Sequence, residues 1–243
     1  MRKSCVMVAT LLAMAAGVQA SGKVSFRAQD GLEVSADLYL AHPPEAPFIL
    51  LCHMAGSGRG EYLPIVERLS KLGFNLMAVD QRSGNAAGGL ANETAARAHA
   101  KKLSTSWIDA LLDMQAALAE ARGKYAKGKL LLWGSSYSAS LAIKMAGDAP
   151  SCCDGVLAFS PGEYFGRDFI ASSAKSVKVP VFVTSGKYER DDWQKIYDAI
   201  PAAGKLSFLP NATGEHGSPA LYPATPGSGE YWAAVEPFLK RFL

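Results

Sequence analysis

Between residues 23 and 40 the chain alternates apolar and polar side chains around Gln29-Asp30-Gly31, a turn sequence. Residues 23–28 and 32–40 therefore predict an antiparallel hairpin. From residue 48 the pattern changes. Short continuous apolar runs at 48–52, 75–79, 129–133, 155–159, 179–184 and 205–209 predict strands covered on both faces, as in a parallel sheet between helices. Helical spacing fills the gaps. Ile65, Val66, Leu69 and Leu72 mark one apolar face, ended by Gly73. Trp107, Ile108, Leu111, Leu112 and Leu118 mark a second, opened by Ser106 with Asp109 three residues on and closed by Gly123. Residues 136–146 predict a third helix, and Trp232, Val235, Leu239 and Phe242 a last one docked on the sheet. The expectation is one α/β domain over residues 21–243: a mostly parallel sheet of about eight strands, led by the hairpin, with helices on both faces.

The first twenty residues stand outside that pattern. Arg2 and Lys3 precede an apolar run from Cys5 to Val18, and Val18-Gln19-Ala20 puts small residues where a signal peptidase reads. The run is too short to span a bilayer of about 30 Å as a helix. Residues 1–20 are expected to be a signal peptide removed after Ala20, which makes the protein periplasmic or secreted, with no stable membrane insertion after cleavage. Loss of Arg2 and Lys3 takes the 25 basic residues to 23 against 22 acidic ones, a net charge of +1. That near balance gives no electrostatic reason for a nucleic-acid partner. Apolar residues make up 49% of the chain and charged ones 19%, so a disordered or polyelectrolyte chain is excluded. Cys52 falls at the end of one predicted strand and Cys152-Cys153 at the start of another. Opposite ends of parallel strands lie roughly 15 Å apart, beyond disulfide reach, so free thiols are expected.

One segment carries chemistry on its own terms. Trp133-Gly134-Ser135-Ser136-Tyr137-Ser138 joins a buried strand to a helix. A serine raised on such a turn needs small residues two before and two after it, because the backbones there come close. Centring on Ser136 places Gly134 and Ser138 at those positions, whereas centring on Ser135 would place Trp133 and Tyr137. Ser136 is the candidate nucleophile, and the competing explanation of the segment is a plain helix N-cap. His216, in Gly214-Glu215-His216-Gly217 beyond the last predicted strand, can swing its ring to a serine hydroxyl as general base. No His/Cys/Asp cluster has metal-ligand spacing and no Gly-rich nucleotide loop follows the first buried strand, so neither metal nor cofactor is expected.

Leu51-Cys52-His53-Met54-Ala55-Gly56-Ser57, Asp80-Gln81-Arg82-Ser83-Gly84, the Ser136 turn and Gly214-Glu215-His216-Gly217 occur in an order that resembles the α/β-hydrolase superfamily, over residues 23–243. The small, lid-poor members, dienelactone-hydrolase-like proteins and simple esterases, are the most similar. The resemblance implies the chain order Ser, acid, His. It puts the acid on Glu189, three residues beyond the glycine of Ser185-Gly186, with Asp191, Asp192 and Glu163 as alternatives. It implies an oxyanion site from the amides of Tyr137 and Ala55, with Met54 the fallback. His53 stands where the family has a histidine bracing the loop, but Met54 replaces the glycine that usually follows. His42 and His99 look incidental. Asp80 and Arg82 resemble a pair that braces the next loop by an ion pair. Residues 160–178 are too few for a helical cap, which implies an open site rimmed by Met54, Tyr164, Phe165, Trp193 and Tyr222, with the segment from Gly217 to Gly229 wrapped round it. The implied activity is hydrolysis of a carboxylic ester or related acyl bond of a small molecule through a Ser136 acyl-enzyme. Acyl transfer or peptide cleavage by the same residues, and a non-catalytic binding protein on the same fold, are the alternatives.

Overall fold

The alternating N-terminal segment forms the hairpin: Gly22–Arg27 (β1) pairs antiparallel with Glu33–Tyr39 (β2). The computed structural model describes residues 20–201 and 203–243, so the expected signal peptide, Ala20 apart, lies outside the described residues. The apolar runs follow as strands: Phe48–Cys52 (β3), Asn75–Val79 (β4), Leu130–Ser135 (β5), Gly155–Phe159 (β6), Val181–Thr184 (β7) and Leu206–Phe208 (β8). Every residue of β3 to β7 is buried, as strands covered on both faces must be. The run expected from residue 179 starts two residues later, just past Pro180, which has no N–H to give a ladder. The helices are Leu63–Lys71 (α1), Glu93–Ala100 (α2), Ala110–Glu120 (α3), Tyr137–Asp148 (α4), Phe169–Ala174 (α5), Arg190–Ala199 (α6) and Ser228–Leu239 (α7).

The described strands form one eight-stranded sheet in the order β1-β2-β4-β3-β5-β6-β7-β8, parallel from β4 to β8. Strand period sorts the core into two layers. Leu50, Met77, Leu132, Val156 and Val183 point to one face and pack on Met114 of α3, Leu141 of α4, Ile170 of α5 and Ile196 of α6. Ile49, Leu51, Leu76, Trp133, Phe159 and Phe182 point to the other, against Ile65 and Leu69 of α1 and Trp232, Val235 and Phe238 of α7. Strand order reverses at β3, which lies between β4 and β5 with Cys52 opposite Gly134. Loops leaving the carboxyl ends of β3 and β5 diverge there, and ligand crevices in such sheets open at this point.

Three expectations are corrected. Gly123 does not end α3; the chain continues through a wider π-type turn, Ala121–Tyr125. Trp107 and Ile108 are not on the buried face of that helix: they lie in a 3-10 turn before it, 44% and 36% exposed, and Ala110, Asp113, Met114 and Ala117 make the buried face instead. The Ser106 hydroxyl bonds the Asp109 carboxylate and caps no backbone N–H, so the helical register starts later than the spacing suggested.

Asp80 and Arg82 do not pair with each other. Asp80 binds Arg59, at 2.5 Å, and Arg59 also binds Asp37. Arg82 is enclosed by Asp113 and Asp30 at 2.8 and 2.6 Å and has no face left for a substrate carboxylate. Asp80 meets the base Arg59 from the turn after β3, whereas Arg82 meets two acids, Asp30 from the hairpin turn and Asp113 from α3. Cys52, Cys152 and Cys153 are free thiols.

Candidate active site

β5 ends at Ser135 and α4 begins at Tyr137, leaving Ser136 alone to turn the chain. Its backbone sits at φ 59°, ψ −127°, a conformation that costs a non-glycine residue on the order of 1–3 kcal/mol. The turn is held by the Ser136 N–H donating to Phe159 O at the end of β6, at 2.7 Å. It is also tight: a Cβ on Gly134 would stand 2.3 Å from Ser138 O and 2.4 Å from Ala139 N, so only glycine fits. The Ser136 hydroxyl makes no capping bond to α4, and that disposes of the plain N-cap explanation. The first amides of a helix have no intrahelical acceptor, so Tyr137 N–H stands at the positive end of a 12-residue helix. Ser138, where a second glycine is usual, donates its hydroxyl to His53 O at 2.6 Å and accepts from Gln81 Nε2 at 2.7 Å. It ties the loop after β3 to the turn after β5.

Glu189 and His216 come together from loops after β7 and β8. His216 Nδ1 bonds Glu189 Oε1, and Glu189 is buried. The other carboxylate oxygen accepts from Ser160 Oγ at 2.8 Å and Gly186 N at 2.9 Å. The bond to Glu189 raises the His216 pKa above its ordinary 6.5, outweighing burial, which acts the other way. Asp191 and Asp192 lie exposed in the first turn of α6. Glu163 spends its carboxylate on Ile170 N and Ala171 N, both at 2.8 Å, in the first turn of α5. Of the four acids, the structure brings Glu189 alone to the imidazole.

The loop that carries His216 is fastened to the Ser136 turn. Ser218 N–H donates to Ser135 Oγ, and Gly217 N–H to Ser160 Oγ, both at 2.9 Å. Gly217 has φ 69°, and a Cβ there would meet Ser135 Oγ at 2.5 Å, so the close approach needs glycine. No hydrogen bond joins Ser136 Oγ to His216 among the described residues; what fixes their neighbourhood is this stitching of the flanking backbone.

On the opposite side, His53 is fully buried, its Nδ1 on Met54 O at 2.7 Å and its Nε2 accepting from Gln81 N at 2.9 Å. Nδ1 therefore carries the proton, and burial lowers the ring's pKa, keeping it neutral. Its ring joins the loop after β3 to the loop after β4. The Met54 amide, the fallback oxyanion donor, is taken: it donates to Glu61 Oε2 at 2.9 Å. Ala55 N–H has no acceptor among the described residues.

No family model and no curated protein matches the sequence. Solved structures do. An esterase from Pyrococcus furiosus, Pf2001, superposes with a TM-score of 0.70 at 18% identity, over 91% of this chain and 92% of that one. A dienelactone hydrolase from Anabaena variabilis gives 0.70 at 16% identity, over 91% and 97%. An acylaminoacyl peptidase from Pyrococcus horikoshii gives 0.67 at 14% identity, over 93% of this chain but 42% of its own. The chain has the α/β-hydrolase fold.

In this α/β-hydrolase fold an open cavity of about 510 Å³ lies beside the Ser136 turn, lined by Thr105, Ser106, Trp107, Ile108, Tyr164, Phe165 and Phe169. Trp107 stacks on Tyr137, ring centroids 5.9 Å apart, and meets the edge of Tyr164 at the same distance. Tyr164 donates its hydroxyl to Ser160 O at 2.9 Å, and that hydroxyl lies near the Ser136 side chain. Tyr164 and Phe165 both line this cavity. Met54 is not in this lining; its sulfur lies against Gly217. Trp193 is buried under β7 with its Nε1 on Ser185 Oγ at 2.7 Å, and Tyr222 donates to Glu61 O at 2.5 Å, so neither lines the cavity. Sequence reasoning missed Phe169, Ser160, Glu61 and the cavity role of Trp107. For Trp107 and Phe169 a signal existed, since both are large apolar residues at the start of a helical segment and outside its buried face. His42, bound to Ser70 O at 2.8 Å, and His99, at the end of α2, stand away from the site.

Proposed function

We propose that this chain is a serine hydrolase that cleaves an uncharged carboxylic ester or related acyl bond, and that it works outside the cytoplasm after loss of its first twenty residues. Ser136 Oγ attacks the carbonyl carbon while its proton passes to His216 Nε2, and the Glu189 carboxylate steadies the imidazolium through Nδ1. The carbonyl oxygen, now negative, is held by the amides of Tyr137 and Ala55. Collapse expels the alcohol, which takes the proton from His216. Water then attacks the acyl-Ser136 carbonyl by the same proton route, releasing the acid and restoring the serine. The observation that carries this reading is a serine with a strained, uncapped backbone, and a histidine bonded to a buried carboxylate on a loop sewn to that serine's turn at Ser135–Ser218.

The cavity supports the substrate class. Its lining has aromatic and aliphatic walls and no charged side chain, which suits an apolar acyl or aryl group and offers nothing to a carboxylate. A serine-directed fluorophosphonate is expected to add its phosphonyl mass to the peptide carrying Ser136; labelling of intact protein at any other residue, or none, counts against the proposal. Trp107→Ala is expected to lower kcat/KM for an octanoate aryl ester by about tenfold while leaving the acetate within about threefold, because removing one wall of an apolar pocket costs roughly 1–3 kcal/mol for groups that reach it. Equal losses on both esters would deny Trp107 a place in the acyl pocket.

A further inference from the structure

Among the described residues, Glu61 is the one buried acid beside the loop after β3 and the Ser136 turn that the mechanism leaves unused. It lies in the 3-10 turn Arg59–Tyr62, directly after the loop from β3, and is 2% exposed. One carboxylate oxygen takes the Met54 N–H; the other, Oε1, is buried and accepts no well-formed hydrogen bond, with the Ser135 and Ser57 hydroxyls close by. A buried carboxylate so incompletely bonded is costly and calls for a structural explanation. Three backbone segments surround it. The loop after β3 is bound through Met54. The nucleophile turn faces it through the Ser135 hydroxyl, whose oxygen already accepts the Ser218 N–H and whose proton is thereby free. The loop that carries His216 contributes its charge, and Tyr222 of the wrapping segment grips the Glu61 carbonyl.

Resting on the serine-hydrolase reading, we propose that Glu61 is a positioning residue: its ionised carboxylate draws the Met54 amide inward, which leaves the next amide, of Ala55, as the one offered to the developing oxyanion. Successive amides of a loop bend compete for one direction. If the Met54 N–H loses its charged acceptor, the bond weakens from a charge-assisted to an ordinary one and the loop is freer to turn its carbonyl or the wrong amide toward Ser136. Reaction geometry tolerates little such movement.

The environment gives this role a pH signature. Burial pushes the Glu61 carboxyl up to about 7, against the Met54 N–H and the Ser135 and Ser57 hydroxyls, which lower it. The other titratable groups around it are Cys52 of β3, Tyr62 of its own turn and Tyr222, all held in their neutral forms by burial, and His216. Activity needs Glu61 ionised and His216 neutral, so both lose function as pH falls. The acid limb of log kcat/KM should be steeper than one across the range in which Glu61 titrates in the native protein and have a slope of one throughout in Glu61→Gln, which should lose about tenfold in kcat with KM within about threefold. The deciding measurement needs no turnover. In protein labelled with 15N-methionine, the Met54 amide resonance is expected to titrate with a midpoint near 7 in the native chain and to stay flat in Glu61→Gln. A Met54 amide that does not move between about pH 5.5 and 8.5 in the native protein overturns the proposal, whether or not the variant folds. If the amide titrates but Ser136→Ala still hydrolyses esters, the Glu61 contact stands and the hydrolase reading falls.

Discussion

Ser136→Ala is expected to lower kcat/KM for an aryl ester by about 10⁵-fold or more, the scale on which removal of a serine nucleophile acts in other serine hydrolases. The neighbouring substitution makes this a test of geometry. Ser135 is fully buried and accepts the Ser218 N–H, so Ser135→Ala removes one bond that fastens the histidine loop. That bond is worth roughly 0.5–1.5 kcal/mol in stability, and its loss should cost activity no more than about tenfold. Two adjacent serines therefore differ by four orders of magnitude in expected effect, because Ser136 alone occupies the strained turn with its hydroxyl free of α4. Steady-state turnover of the two variants, with circular dichroism to check folding, measures this directly. Comparable losses in both would mean that the turn, not the Ser136 hydroxyl, is what the activity needs.

Glu189→Gln is expected to lower kcat/KM by about 10⁴-fold, as in triads where an amide replaces the acid and holds the wrong imidazole tautomer. Asp191→Asn and Asp192→Asn, on the exposed turn of α6, should stay within about threefold, as surface changes usually do. The substitution should also move the pH profile. Glu189 stabilises the protonated imidazole and so raises the His216 pKa above 6.5. Catalysis needs the neutral ring, so the acid limb due to His216 lies above 6.5 in the native protein and should shift to lower pH once the carboxylate is gone. Residual activity of Glu189→Gln that falls off at a higher pH than native would reverse the sign and remove Glu189 as the partner.

The two outcomes bear on different parts of the chain's legibility. Ser136 was readable because the size rule around a strand-to-helix turn is local: Gly134 and Ser138 sit within two residues of it. Glu189 needed the resemblance, since Asp191 and Asp192 are close in sequence and chemically equivalent. What separates them is that a 3-10 turn, Lys187–Glu189, points Glu189 inward before α6 begins. Ser160 and Glu61 gave no local signal at all. Ser160 bridges Glu189 and Gly217 from the end of β6, and Glu61 meets Met54 and Ser135 from the turn before α1. Met54 and Ser138, which stand where the resembled superfamily usually has glycine, have structural uses: one amide bonds Glu61 and one hydroxyl bonds His53 O.

By itself the sequence determined the sheet and its layers, because burial on two faces requires unbroken apolar runs and helix faces repeat every three or four residues, both properties of neighbouring positions. It also determined the tight turn at Ser136, through sterics within a pentapeptide. Only the tertiary structure decided partners. Arg82 found Asp113 and Asp30 rather than Asp80, Trp107 left its helix face for the cavity, and Glu61 came to rest between three loops. Such pairings depend on how loops cross the sheet, as when the segment after β8 returns past β7 and β6 to set Ser218 on Ser135 at the end of β5. No local pattern records which distant segment will arrive.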